Sequence, residues 1–280
     1  MDIKIKFFLL VLIPLVFGFV WFFSRERPIR WLVFYGNELS PRMLMQVDLA
    51  ILEPDNITPS KTGNKKTIFF GYLSLGEVND SRGYWPEIAE SDFVVAANPH
   101  WQGAWQVDIR SQKWQKLLFE KVIPKILEKG YQGLFLDSVD MAMYLEAKDP
   151  EKFSGSRKAM IDFFRLLHKK FPNLLLVPNN AIELLEDYGD IIYGVVVEDL
   201  YTRCDFATRT CGKTPLSDSQ YKEERLDAFR KHFKKPVFNI LYDYSNNPDV
   251  EKYGIKRSEK KKYHWYLTEP SLTQLGTIGR

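Results

Sequence analysis

Eight short apolar runs recur along this chain, at residues 31–35, 47–52, 67–75, 133–136, 174–177, 191–197, 237–241 and 264–267. Several of the intervals carry amphipathic stretches of helical length, at 113–128, 157–170, 181–187 and 221–234. Strands that are apolar throughout need cover on both faces, and alternation with helices supplies it through parallel crossovers. Eight such units match the strand count of a (β/α)₈ TIM barrel, and 280 residues suffice for one. The pattern therefore predicts an α/β fold with a single barrel domain over residues 31–280. A doubly wound open sheet would carry a glycine-rich phosphate turn after its first strand, and Tyr35-Gly36-Asn37-Glu38 is not one. Pro124 falls inside the first long helix and is expected to kink it. The tail after Glu269 is short for an eighth helix.

The segment before the first strand reads differently. Residues 7–23 are an unbroken apolar run preceded by Lys4 and Lys6, close to the lower length limit for a membrane span. The run ends in Val20-Trp21-Phe22-Phe23, which lacks the small residues of a cleavage site. Residues 1–24 are thus expected to be an uncleaved signal anchor, with a cleaved signal as the alternative, and residues 25–30 a linker. Arg25, Arg27 and Arg30 follow the run, so flanking charge does not fix its orientation. Cys204 and Cys211 are the only cysteines and share one short loop. A disulfide between them fits an oxidising compartment, although two free thiols fit the spacing as well. On that basis the expected location is extracytoplasmic and membrane-anchored, or secreted or periplasmic if the signal is removed. A net charge of +3, with lysine runs at helix ends, argues against a nucleic-acid partner. HExxH, a phosphate loop and a completed Cys/His ligand set are all missing, so neither a metal nor a cofactor is expected.

In an α/β barrel the chemistry gathers at the C-terminal strand ends. Here those ends carry Glu77, Asp137 with Asp140, Asn179-Asn180, Glu198, and Tyr242-Asp243. Turn and helix-cap roles account for Asp140 and Asn180. They account less well for Asp137 and Glu198, which directly follow their apolar runs, and Glu is a poor cap. Two carboxylates across a cleft suit glycosidic bond cleavage, one donating a proton and the other attacking carbon or activating water. Trp101 and Trp105 lie in an intervening loop, where they either stack on sugar rings or cap the core.

Together, Gly71-Tyr72-Leu73-Ser74-Leu75-Gly76-Glu77, the stretch from Asn98 through Trp101 and Trp105 to Arg110, Gly133–Asp140, Pro178-Asn179-Asn180 and Val196-Val197-Glu198 resemble the endo-α-1,4-polygalactosaminidase family, glycoside hydrolase family 114. The resemblance implies a barrel hydrolase acting on α-1,4-linked, galactosamine-rich polysaccharide. It implies a nucleophile-type carboxylate at Asp137 and an acid/base at Glu198, with Tyr72, Glu77, Asn180 and Asp243 lining the cleft. Such a substrate is a cationic amino-sugar polymer, which an acidic rim would concentrate. A glycan-binding or exopolysaccharide-assembly protein that keeps the cleft without catalysis is the competing expectation. The Cys204–Cys211 loop departs from the family pattern and stands where it could reshape the cleft.

Overall fold

The computed structural model describes residues 28–244 and 247–279. The expected anchor at 1–24 and residues 25–27 of the expected linker lie outside these residues. Among those described, no helix is long and apolar enough to cross a membrane. The strands are β1 (Trp31–Phe34), β2 (Leu49–Leu52), β3 (Ile68–Ser74), β4 (Glu77–Asn79), β5 (Val94–Ala97), β6 (Ala104–Val107) and β7 (Gly133–Asp137). They continue as β8 (Leu175–Pro178), β9 (Val195–Val197), β10 (Thr202–Asp205), β11 (Thr210–Lys213), β12 (Val237–Tyr242), β13 (His264–Thr268) and β14 (Thr277–Ile278).

The eight apolar runs become β1, β2, β3, β7, β8, β9, β12 and β13. The first five pair in parallel in that order, and β9, β12 and β13 pair in parallel in a second sheet. A parallel bridge between Asn179 and Val196 joins the two sheets. At the other seam the Ile29 N–H donates to His264 Nδ1 at 3.1 Å, and the Trp31 indole donates to the His264 carbonyl at 3.1 Å. The result is an α/β fold around a mostly parallel central sheet, with neighbours in sequence also neighbours in space.

Burial follows from composition. Every residue of β1, β2 and β12 is buried. On the helix Ser156–Lys170, Met160, Phe163, Phe164 and Leu167 fall at helical spacing and are all buried. Phe163 stacks on Phe119 at 4.9 Å, and Phe164 stacks on Tyr188 at 4.2 Å. Each such side chain contributes about 1.5–3 kcal/mol by leaving water.

Three local outcomes differ from the expected pattern. Pro124 does not simply kink its helix: a π-helical turn at Leu118–Val122 precedes a fresh α-helical start at Ile123–Glu128. That places Pro124 in the first turn, where its missing N–H costs little. The sixth run pairs only over Val195–Val197, and just before it Gly194 passes the Pro236 carbonyl, which a Cβ would meet at 2.8 Å. Helices at Met141–Lys148 and Pro248–Lys261 were not foreseen. As the short tail after Glu269 predicts, no outer helix follows β13 among the described residues. Instead the tail crosses the rim, where the Tyr35 N–H donates to the Leu272 carbonyl at 2.7 Å, and returns as β14 antiparallel to β13.

Two insertions stand on the rim. One is a three-stranded antiparallel sheet, in the order β4-β6-β5, which leaves the frame after β3. The other is the β10–β11 hairpin after β9, in which Cys204 and Cys211 face each other and form a disulfide.

Candidate active site

Asp137 is the last residue of β7, and Glu198 directly follows β9. Strand β8 lies between them and ends in Asn179 and Asn180, so one strand end serves both carboxylates. Asn179 Nδ2 donates to Asp137 Oδ1 at 3.0 Å. The Asn180 side chain accepts from the Glu198 N–H at 3.0 Å and donates to Glu198 Oε2 at 3.3 Å.

Each carboxylate also takes a tyrosine hydroxyl. Tyr72 donates to Asp137 Oδ2 at 2.8 Å, and Tyr242 donates to Glu198 Oε1 at 2.6 Å. Burial raises both phenols well above their ordinary range, and the adjacent carboxylates raise them further, so both stay protonated donors. Tyr72 is itself braced. The Tyr35 ring meets its face edge-on at 5.2 Å, and the Arg82 guanidinium lies 5.5 Å over it.

Burial raises three of the cleft carboxyls. Glu198 opens to the cleft on one side, yet burial is the main cause that pushes its carboxyl up to about 7. The Asp137 charge adds to this, while the bond from Tyr242 opposes it. Around neutrality Glu198 is therefore partly protonated. Glu77, at the start of β4, is raised chiefly by burial and held down by Asn98, whose Nδ2 donates to it at 2.6 Å. Asp140 occupies the N-cap position of Met141–Lys148 but its side chain makes no capping bond. It lines the cleft, and burial and the Asp137 charge both push it upward, while a backbone hydrogen bond and the Lys222 charge oppose the rise.

These groups line one cleft of about 1520 Å³. Tyr72, Glu77, Trp101, Asp137, Asp140, Asn179, Asn180, Glu198 and Tyr242 all face it. Two expected residues do not. Trp105 packs on Trp85 at 5.4 Å, because strand alternation on β6 turns it away from the cleft. Asp243 follows the inward-facing Tyr242, so its side chain falls on the opposite side. It is buried and accepts from the Asn247 N–H at 3.3 Å.

Sequence reasoning missed Arg82. Its guanidinium spans Glu53, with contacts of 2.7 and 2.9 Å, and reaches Asp55 at 2.6 Å. No local motif marks it; only the glutamate that closes β2 hints that a cation is needed. The tail residues Ser271 and Leu272 were also missed as cleft walls. Some motif residues proved to be scaffolding. Gly76 lets the chain pass the Ser138 carbonyl, which a Cβ would meet at 2.3 Å. Arg110 pairs with Asp108 at 2.6 Å and ties down the carbonyls of Lys152 and Ser154.

A family model described as glycoside-hydrolase family GH114 matches residues 29–279. In fold, the chain is similar to the glycoside hydrolase domain of PelA from Pseudomonas aeruginosa, at 24% identity and a TM-score of 0.78. The match covers 89% of this chain and 98% of that one. Aspergillus fumigatus Ega3, solved in complex with galactosamine, is 15% identical with a TM-score of 0.69, covering 90% of this chain and 95% of that one. An uncharacterized protein of Methanocaldococcus jannaschii is 30% identical over 200 residues, 67% of this chain and 55% of its own length. The chain thus spans about half of that relative.

Proposed function

The chain belongs to glycoside-hydrolase family GH114, and from that premise we propose that it cleaves α-1,4-linked galactosamine-rich polysaccharide with Asp137 and Glu198, on the rim of a closed (β/α)₈ barrel. The observation that carries this reading is geometric: Asp137 and Glu198 line one cleft, each oriented by a tyrosine hydroxyl and an asparagine amide, and burial pushes Glu198 up to about 7. In the first step the Glu198 carboxyl gives its proton to the glycosidic oxygen as the C1–O bond breaks, and an Asp137 oxygen attacks C1. In the second, the Glu198 carboxylate takes a proton from water, and the water oxygen displaces Asp137 from C1. Adjacent asparagines at one strand end, Asn179 on Asp137 and Asn180 on Glu198, favour the short spacing, about 5–5.5 Å, that retention of configuration requires.

The substrate assignment rests on charge. The Ega3 structure holds galactosamine, whose ammonium group suits a rim carrying Glu77, Asp137 and Asp140. The cleft residues Tyr72, Trp101, Asn179, Asn180 and Tyr242 would complete the sugar contacts. The disulfide favours an oxidising, extracytoplasmic location. Anchoring through residues 7–23 fits that location.

Incubation with partly deacetylated α-1,4-polygalactosamine tests the reading, with reducing ends counted for the native protein, Asp137→Asn and Glu198→Gln. Release by the native protein, abolished by both substitutions with folding intact, is expected. Binding without release would favour a non-catalytic glycan-binding protein. Release that persists in both variants would remove these carboxylates from the mechanism.

A further inference from the structure

The two rim insertions touch. Trp101 stands between β5 and β6, and Phe206 stands at the tip of the β10–β11 hairpin. Their rings meet edge to face at 5.0 Å, yet each residue remains 51% exposed. Exposed aromatic rings on unconnected loops pack against each other only where both loops are held in place.

Both are held. Asn98 donates to Glu77 at 2.6 Å and accepts from the His100 N–H at 2.8 Å, which fixes the approach to Trp101. On the hairpin, Asp205 Oδ1 accepts from the Ala207 and Thr208 N–H groups at 2.8 and 3.0 Å, so the turn around Phe206 is set locally. The disulfide closes the hairpin just behind it, and the Arg209 guanidinium lies 4.9 Å over the Tyr244 ring.

Strand order gives the contact its meaning. One insertion leaves after β3 and the other after β9, with β7 and β8 between them. A contact between the insertions therefore spans the ends of β7 and β8, above Asp137 and Asn179. The cleft is lopsided in the same sense. On the spanned side its lining stops at Asp140, Met141 and Asn180, and on the other it runs past Arg82 and Ser271 as far as Lys125.

We infer that Trp101 and Phe206 form a clasp across one end of the cleft and that this clasp sets the length of the released oligosaccharides. The inference rests on the hydrolytic reading of the site and goes beyond it. With Asp137 and Glu198 near the closed end, a bound polysaccharide has many sugar units on the open side and few under the clasp. Each cut then releases a short oligomer. Trp101, which lines the cleft, offers the ring face on which those last units stack, and Phe206 holds it there.

The test compares the native protein with Phe206→Ala, an exposed position where truncation leaves the core untouched. Products from α-1,4-polygalactosamine are sized by mass spectrometry from the first turnovers onward. The native protein is expected to release short oligomers from the start, and Phe206→Ala to shift the distribution to longer ones. Reducing the disulfide, the only one two cysteines allow, is expected to shift it the same way by less. A second arm needs no turnover. Galactosamine oligomers of increasing length are titrated by calorimetry into Glu198→Gln and into Glu198→Gln with Phe206→Ala. Affinity is expected to stop rising at a shorter length while the clasp is intact. Equal plateau lengths overturn the clasp, as do unchanged product lengths. If the native protein releases no reducing ends, the hydrolytic reading fails, and the calorimetric arm still decides the clasp.

Discussion

The rim carries two sets of carboxylates that face the same cleft and are treated in opposite ways. At the end of β2, Glu53 and Asp55 are neutralised by Arg82, with Glu53 gripped through both oxygens. At the ends of β7 and β9, Asp137 and Glu198 have, among the described residues, no guanidinium or ammonium on their carboxylate oxygens, only hydroxyls and amides. A cation lowers the energy of a carboxylate's charged form and quiets it; neutral donors orient it and leave its proton affinity free to respond to burial. The paired set stabilises, and in the proposed mechanism the unpaired set reacts. Arg82 joins the two, because it also covers the Tyr72 ring whose hydroxyl orients Asp137.

The sharpest way to break this contrast is to neutralise one member of each set. Asp137→Asn is expected to lower kcat on the order of 10⁴-fold or more, as loss of a nucleophile does, with the urea midpoint unchanged. Arg82→Met is expected to do the reverse in kind. It leaves Glu53 largely buried without its partner, at a cost of about 3 kcal/mol in urea unfolding. Equal stability losses from the two substitutions would erase the distinction.

Acidity sharpens it. Folded Glu198 keeps its proton up to about 7, whereas the unfolded chain releases it near 4.5. The native state therefore binds the extra proton between those values, and stability is expected to fall as pH rises through that window. Glu198→Gln should flatten the fall and recover about 2 kcal/mol at pH 8, read from urea midpoints across pH. Over the same range, native kcat should decline above pH 7 as the acid form is lost. The smallest expected effect belongs to Tyr242→Phe. It removes the donor that favours the charged form of Glu198, so the alkaline limb of the rate profile should move up by about one pH unit. A downward move would mean that Tyr242 acts on the neutral acid instead.

The frame was legible from the chain because its eight apolar runs are long enough to carry a pattern, and Asp137 and Glu198 were legible because they directly follow two of them. Tyr242 and Asp243 show where that rule stops. Both end the β12 run, but pleating sends successive side chains to opposite faces, and only one can look into the cleft. The sheet β4–β6 escaped notice because strands of three or four residues carry too little alternation to register. Arg82 escaped for a different reason, since its partners lie 27 and 29 residues away and no local spacing records them. The helix Pro248–Lys261 was readable after all: the Asn247 side chain accepts from the Val250 N–H, and Pro248 opens the first turn.

Ser138, Asn180 and Asp199 each follow a site residue, and each takes a left-handed backbone, at φ 53°, 53° and 52°. None is glycine. A residue with a Cβ sits there at a cost of roughly 1 kcal/mol, least for asparagine. An engineer seeking a hardier protein would place glycine at 138 and 199 to relieve that strain. The same change would loosen the backbone immediately after each carboxylate, so the heat such a variant tolerates and the rate at which it turns over would be set by the same two peptide units.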